Sequence, residues 1–142
     1  MGGGRPDQPE LGNGWFVEPT IFGGVRNDMR IAQEEVFGTV LSVIPFDSAD
    51  EALSIANDSS YGLAAGVWTQ DIRKIKHFSE RLQAGTIWAN TYRVISYMTQ
   101  LGGYKNSGLG RENGQDAIYQ YLQTKSVMIS TASEVANQFI MR

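Results

Sequence analysis

Apolar positions along the chain fall into short dense runs separated by polar, glycine-rich stretches. Trp15–Phe22 reads as a strand interrupted by Pro19, which suits an edge or a bend. Val40–Phe46 (VLSVIPF) is a continuous apolar run of the kind buried on both faces. Leu63–Thr69 (LAAGVWT) and Thr86–Asn90 (TIWAN) give the same signal, and Ser126–Ser130 (SVMIS) predicts a last strand. Helical periodicity fills the gaps. Ser48-Ala49-Asp50-Glu51 fits a capping box, in which the Ser hydroxyl accepts from the N3 amide and the Glu reaches back to the cap amide. Ala49, Ala52, Leu53 and Ala56 then share a face. Asp71 is a good N-cap for a helix with Ile72, Ile75, Phe78 and Leu82 on one side and Gly85 as its C′ stop. His77 falls away from that apolar side and is expected to be exposed. Ala117, Ile118, Tyr121 and Leu122 mark a third helix. Residues 1–14, 27–34 and 91–110 read as loops or short turns, Tyr61-Gly62 as a turn, and Thr131–Arg142 as a weakly helical tail.

Strands alternating with helices predict an α/β fold, a mainly parallel sheet with helices on both faces and right-handed crossovers. Ligands in such folds sit at the carboxyl ends of strands, and the loop after Asn90 lies at one of these ends.

Composition narrows the function classes. With 142 residues, 42% hydrophobic and 19% charged, the chain has ordinary globular composition. A net charge of −3 argues against nucleic acid as a partner, because phosphate binding needs a clustered basic surface. The chain has no cysteine, which excludes a disulfide framework, a thiolate metal site and a cysteine nucleophile within it; one histidine excludes a His-based metal cluster. No apolar run approaches a membrane span, and MGGGRPDQPE lacks the basic and apolar regions of a signal peptide. The expectation is a soluble cytoplasmic protein with no membrane partner.

Two stretches carry candidate chemistry. In QEEVFGTV, Gln33–Val40, an ionised Glu35 can accept from two hydroxyls such as a vicinal diol, Phe37 can lie against a ring, and Gly38 allows close backbone approach. The ordinary alternative is a solvated pair of charges, Glu34 and Glu35, beside a core Phe37. In GGYKNSGLGREN, Gly102–Asn113, the glycines with Gly114 imitate a dinucleotide fingerprint with the wrong spacing and no strand running into it. A structural turn is the better reading, with Lys105 and Arg111 solvated unless they bind an anion.

Taken together, GWFVEPTIF, AQEEVFG, NDSSYGLAAGVWT, LQAGTIWAN and GGYKNSGLGREN, in this order, resemble the aldehyde dehydrogenase superfamily, from Gly2 to about Ser130. The flavour is that of the NAD(P)-dependent aldehyde and betaine-aldehyde-like enzymes. The resemblance implies that Glu35 contacts the ribose hydroxyls next to the nicotinamide of NAD or NADP and that Phe37 packs near the nicotinamide ring. It implies that Arg93, Ile95 and Leu101 line the aldehyde tunnel, and that Ser126–Ser130 pairs across a subunit interface in a homo-oligomer. Residues 1–125 would then be the C-terminal part of the catalytic domain and 126–142 an oligomerisation-type strand and tail. Two positions depart from the family pattern: Thr39 stands where Pro follows F-G, and Gln100-Leu101 stand where Pro and a bulky residue precede Gly-Gly.

The family reaction needs a thiolate to attack the aldehyde, NAD(P)+ to take the hydride and a Glu-activated water to release the acid. The resemblance places the thiolate, that Glu and the Rossmann unit upstream of Met1. The chain is therefore expected to be a fragment, with no catalytic residue of its own and inactive alone. Two other functions compete with that reading: a self-associating or partner-binding remnant, and a weak nucleotide-binding module built on Glu35.

Overall fold

The computed structural model describes residues 2–12, 14–134 and 139. Its elements in chain order are β1 (Thr20–Phe22), α1 (Arg30–Gln33), β2 (Val40–Ser42), α2 (Ala49–Asn57), β3 (Tyr61–Gly62), β4 (Ala64–Val67), α3 (Ile72–Arg81), β5 (Thr86–Ala89) and β6 (Tyr104–Lys105). β1 and β2 pair in parallel with Thr20 opposite Val40. β4 and β5 do the same with Ala64 opposite Thr86 and Val67 opposite Ala89. β3 and β6 form an antiparallel pair. The α/β class and the parallel pairing agree with the sequence pattern, but among the described residues the strands form three two-stranded sheets rather than one continuous sheet. β1 is three residues long, against the eight expected, because the segment before Pro19 pairs with nothing in this sheet.

Local chemistry explains the helices. Ser48 Oγ accepts from the Glu51 amide at 3.1 Å, and the Glu51 carboxylate accepts from the Asp47 amide at 2.7 Å, one residue before the expected cap amide. Asp71 Oδ1 accepts from the Arg73 amide at 2.9 Å and starts α3. Hydrogen bonds from Arg73 hold the Asp71 carboxyl below the usual range. α3 stops at Leu82, four residues after Phe78, whose carbonyl accepts from the Leu82 amide.

Several expectations need correction, among them Tyr61-Gly62, which is a strand paired with Tyr104–Lys105 rather than a turn. Gly85 is not the C′ residue of α3. Its amide donates to the Gly62 carbonyl at 3.0 Å, and a Cβ at this position would lie 1.7 Å from the Gly102 carbonyl oxygen, so glycine serves a close crossing of backbones. His77 is half-buried rather than exposed, because the start of α2 reaches it. Its Nε2 lies 3.2 Å from Asp50 Oδ1, and its ring meets Phe78 edge-on at 5.6 Å. The third helix is a 3-10 helix, Gln115–Tyr121, opened by Gly114 with no side-chain cap; little of it is buried, so packing does not reward the α form.

Ser126–Ser130 forms no strand among the described residues. Val127, Met128 and Ile129 are exposed, and a strand exists only against a hydrogen-bonded neighbour. Tail residues 135–138 and 140–142 lie outside the described residues, as do Met1 and Asn13 of the N-terminal loop. No described helix is long and apolar enough to cross a membrane.

The surface is much larger than a closed domain of this mass would have. The chain exposes 12341 Å², whereas a compact 15.7 kDa monomer exposes roughly 7,300 Å². Among the described residues, the buried apolar side chains are Val25 and Leu82. Trp15, Phe37 and Leu109 are each more than 90% exposed. Exposed apolar area on this scale marks an interaction surface.

Candidate nucleotide and aldehyde site

The segment between α1 and β2 presents two carboxylates in different states. Arg30 and Glu34 stand four residues apart, the spacing that brings side chains together on one helical turn. Arg30 Nε and Nη2 donate to the two Glu34 oxygens at 2.9 and 2.7 Å. These bonds hold the Glu34 carboxyl below the usual glutamate range. Among the described residues nothing bonds the Glu35 carboxylate. Both side chains edge a cavity of about 490 Å³ whose other polar lining includes Gln33, Tyr61, Asn106 and Ser107. A carboxylate with open acceptor sites beside a polar cavity fits a ligand that offers hydroxyls.

Beyond Glu35 the chain turns sharply. Phe37 has φ +52° and its ring is 92% exposed, so it is not a core residue. A bulky side chain in the left-handed region is uncommon. Gly38 needs no special space, since a Cβ there would meet nothing closer than 3.9 Å within this chain. The Thr39 carbonyl accepts from the Thr20 amide at 2.8 Å, which extends the β1–β2 ladder.

The opposite wall of the cavity comes from the glycine-rich loop. Lys105 and Arg111, expected to be solvated or to bind an anion, are tied to backbone carbonyls. Lys105 Nζ donates to Asn57 O at 2.6 Å and Ser59 O at 2.9 Å. Arg111 Nη1 donates to Gly103 O and Gly110 O at 2.9 and 2.8 Å, and its guanidinium lies 5.8 Å from the Tyr104 ring centre. Ser107 Oγ accepts from the Gly62 amide at 2.9 Å. The segment is a structural turn, as its spacing implied.

At the carboxyl ends of β4 and β5, Asn90 closes the strand pair. Its side-chain oxygen accepts from the Thr69 amide and its Nδ2 donates to the Thr69 carbonyl, both at 2.9 Å. Asn90 (φ +53°) and Arg93 (φ +57°) both lie in the left-handed region. Tyr92 sits 6.5 Å from Trp68 and 5.7 Å from Trp88, centre to centre, and the Arg93 guanidinium stacks 5.7 Å from the Tyr92 ring. Trp88 Nε1 donates to Val94 O at 2.8 Å, which pins the turn. Arg93 and Ile95 therefore share one exposed loop. Leu101 is held elsewhere on that loop, in a two-way backbone pairing with Glu112 at 2.7 Å, and lines a cavity with Gly103 and Arg111.

Sequence reasoning missed the polar residues that tie these walls together: Asn27, Gln33, Asn57, Asp58, Asn106 and Ser107. The one signal available was the Arg30–Glu34 spacing, which separates the two adjacent glutamates. No three His, Asp or Glu side chains gather to hold a metal ion among the described residues.

The sequence profile of the aldehyde dehydrogenase family matches residues 1–127. The chain belongs to the aldehyde dehydrogenase family. Betaine aldehyde dehydrogenase of Bacillus subtilis (strain 168) is 47% identical over 138 residues, which cover 97% of this chain and 28% of that protein. The crystal structure of betaine aldehyde dehydrogenase from Staphylococcus aureus in complex with NAD+ matches 99% of this chain and 28% of its own, with a TM-score of 0.89 at 41% identity. An aldehyde dehydrogenase from Mycobacterium tuberculosis, complexed with NAD+, matches with a TM-score of 0.83 at 47% identity, over 95% of this chain and 27% of its own. The chain thus spans little more than a quarter of the relatives it matches, and its fold is that of the corresponding part of those oxidoreductases.

Proposed function

We propose that this chain forms the nicotinamide-ribose wall and part of the aldehyde tunnel of an NAD(P)-dependent aldehyde dehydrogenase that oxidises an aldehyde to a carboxylic acid. The observation that carries this reading is the division of labour between two adjacent carboxylates: Arg30 occupies Glu34, while Glu35 stands free at a polar cavity. Glu35 accepts from the ribose diol, and the exposed Phe37 ring lies against the nicotinamide. The cofactor, when bound, supplies the hydride acceptor. Arg93, Ile95 and Leu101 line the aldehyde path, and betaine aldehyde is one substrate to test because the B. subtilis and S. aureus relatives are betaine aldehyde dehydrogenases. The nucleophilic thiolate comes from a part of the enzyme that this cysteine-free chain does not contain, so the chain alone is inactive. The bare apolar surface is the face that the rest of the enzyme and its oligomer partners cover.

The test is made in the full-length enzyme that carries this segment. Replacing a carboxylate that holds a diol removes charge-assisted hydrogen bonds worth about 1.5–3 kcal/mol. Glu35→Gln therefore weakens NAD+ binding by roughly ten- to a hundred-fold, and Glu34→Gln leaves it within about threefold. Equal effects of the two substitutions, or none from Glu35→Gln, would sink the assignment. A second reading, a self-associating remnant, draws on the same exposed area. It predicts concentration-dependent oligomers of the isolated chain by light scattering, and a monomer at high concentration argues against it.

A further inference from the structure

Glu35 follows a single helical turn that has little means of holding itself in place. α1 has four residues, and its N-cap residue, Met29, makes no side-chain cap bond. A lone turn is unstable without tertiary support. Arg30 and Glu34 bond only to one another, within the same turn, and so anchor nothing. Besides the Ser42 hydroxyl of β2, which donates to Ile31 O at 3.2 Å, the side-chain tie out of this turn is Gln33. Its Nε2 donates to Asn27 O at 2.7 Å, to Asn27 Oδ1 at 3.1 Å and to Asp58 O at 3.0 Å. Asn27 Nδ2 in turn donates to Asp58 Oδ2 at 2.6 Å. Asp58 is the C-cap of α2. The amide of Gln33 thus fastens the chain two residues before Glu35 to the end of a helix that belongs to the body of the fold. The same turn carries the far wall of the cavity, because Lys105 Nζ bonds the carbonyls of Asn57 and Ser59, on either side of Asp58.

We propose that Gln33 is a positioning residue for the cofactor-ribose contact, acting through Glu35 by fastening α1 to the C-terminal cap of α2. This rests on the reading of Glu35 given above. A donor is required here: the two N–H groups of the amide face three oxygens, and a carboxylate in its place would meet oxygens alone. Losing the tie leaves Glu35 attached but misplaced, and misplacement of about 1 Å at a binding group is enough for a large functional loss.

The experiment is a double-mutant cycle on NAD+ affinity in the full-length enzyme, read by equilibrium fluorescence titration. Gln33→Ala is expected to weaken NAD+ binding about tenfold. In the Glu35→Gln background the same change is expected to cost nothing further, because Gln33 acts only through that carboxylate. Unchanged affinity in Gln33→Ala overturns the proposal, as does the same loss in both backgrounds. Should Glu35→Gln itself bind NAD+ normally, the Glu35 reading fails instead, and the proposal falls with it for a separate and visible reason. If Gln33→Ala does not fold, Asn27→Ala, which cuts the same clamp at its middle, replaces it in the cycle. If neither folds, Gln33 is scaffold and not a positioning residue, and the proposal is overturned.

Discussion

Placing a methyl group at Gly85 should loosen the loop that carries Leu101. The Cβ of an alanine would lie 1.7 Å from the Gly102 carbonyl oxygen and 2.9 Å from its carbon. Both are backbone atoms, so no side chain can swing away; the Gly102–Gly103 segment must retreat by more than an ångström. Gly85 cannot retreat in its place, because its own amide is bonded to Gly62 O and the next residue opens β5. Overpacking costs about 1–3 kcal/mol, and a collision between two backbones belongs at the upper end. About 3 kcal/mol corresponds to roughly a 150-fold change in a local opening equilibrium. The amides that report it are those of Leu101 and Glu112, which bond each other's carbonyls at 2.7 Å just beyond the collision. Hydrogen–deuterium exchange should speed up there by about two orders of magnitude. Gly23→Ala is the control: a Cβ at Gly23 meets nothing within 4 Å, and the change should leave those amides alone. Exchange at Leu101 and Glu112 within threefold of wild type in Gly85→Ala would refute the claim that this glycine exists for a backbone crossing.

Ser48→Ala removes the hydroxyl that accepts from the Glu51 amide and should cost about 1 kcal/mol in denaturant unfolding, while Ser48→Asp should restore most of it. No loss in Ser48→Ala would mean the cap bond does not contribute. The Arg30–Glu34 pair has a pH signature with a definite sign. Bonding to Arg30 lowers the Glu34 pKa in the folded chain, so its contribution is present above the unfolded glutamate range and is lost as pH falls through the folded value. The stability difference between wild type and Arg30→Gln should therefore shrink as the pH is lowered from 7 towards 3, and a difference that grows on acidification would contradict it.

What could be read in the sequence was what nearby residues decide among themselves. The caps at Ser48 and Asp71 and the centres of β2, β4 and β5 were legible because each depends on bonds or side-chain patterns spanning a few residues. The roles of Gly85 and His77 were not, because each is fixed by a segment far along the chain: Gly102 crosses over one, and Asp50 of α2 meets the other. Ser126–Ser130 has the composition of a strand but forms none within this chain, because a strand needs a paired neighbour that composition does not specify. In the candidate site, the family pattern pointed to Glu35, and in the structure Arg30 bonds Glu34 and leaves Glu35 open. The difference between the two glutamates is a cation one helical turn back. The residues that fasten the site escaped notice because Asn, Gln and Asp in turns carry no periodic signal, and their hydrogen bonds span 25 residues or more in the case of Asp58.

The same turn, Asn57–Gly62, explains why the cavity survives in so open a structure. On one side Asp58 takes the amides of Asn27 and Gln33; on the other, Asn57 and Ser59 take Lys105, Ser60 takes the Asn106 amide, and Gly62 bonds Ser107. Asn57 also reaches the end of α3, donating to Arg81 O and accepting from the Gln83 amide at 2.9 and 2.8 Å. These ties are polar, directional and internal to the chain, whereas the apolar faces of the same elements lie open. Burial of apolar surface supplies most of the stability of a fold but little of its direction; hydrogen bonds supply the direction. In this segment the two are separated in space. The geometry of the cavity beside Glu35 is set by the chain's own polar hub, while the apolar area of the same elements lies exposed. Covering that surface should therefore raise the stability of this segment far more than it moves Glu35 relative to Asn106 and Ser107.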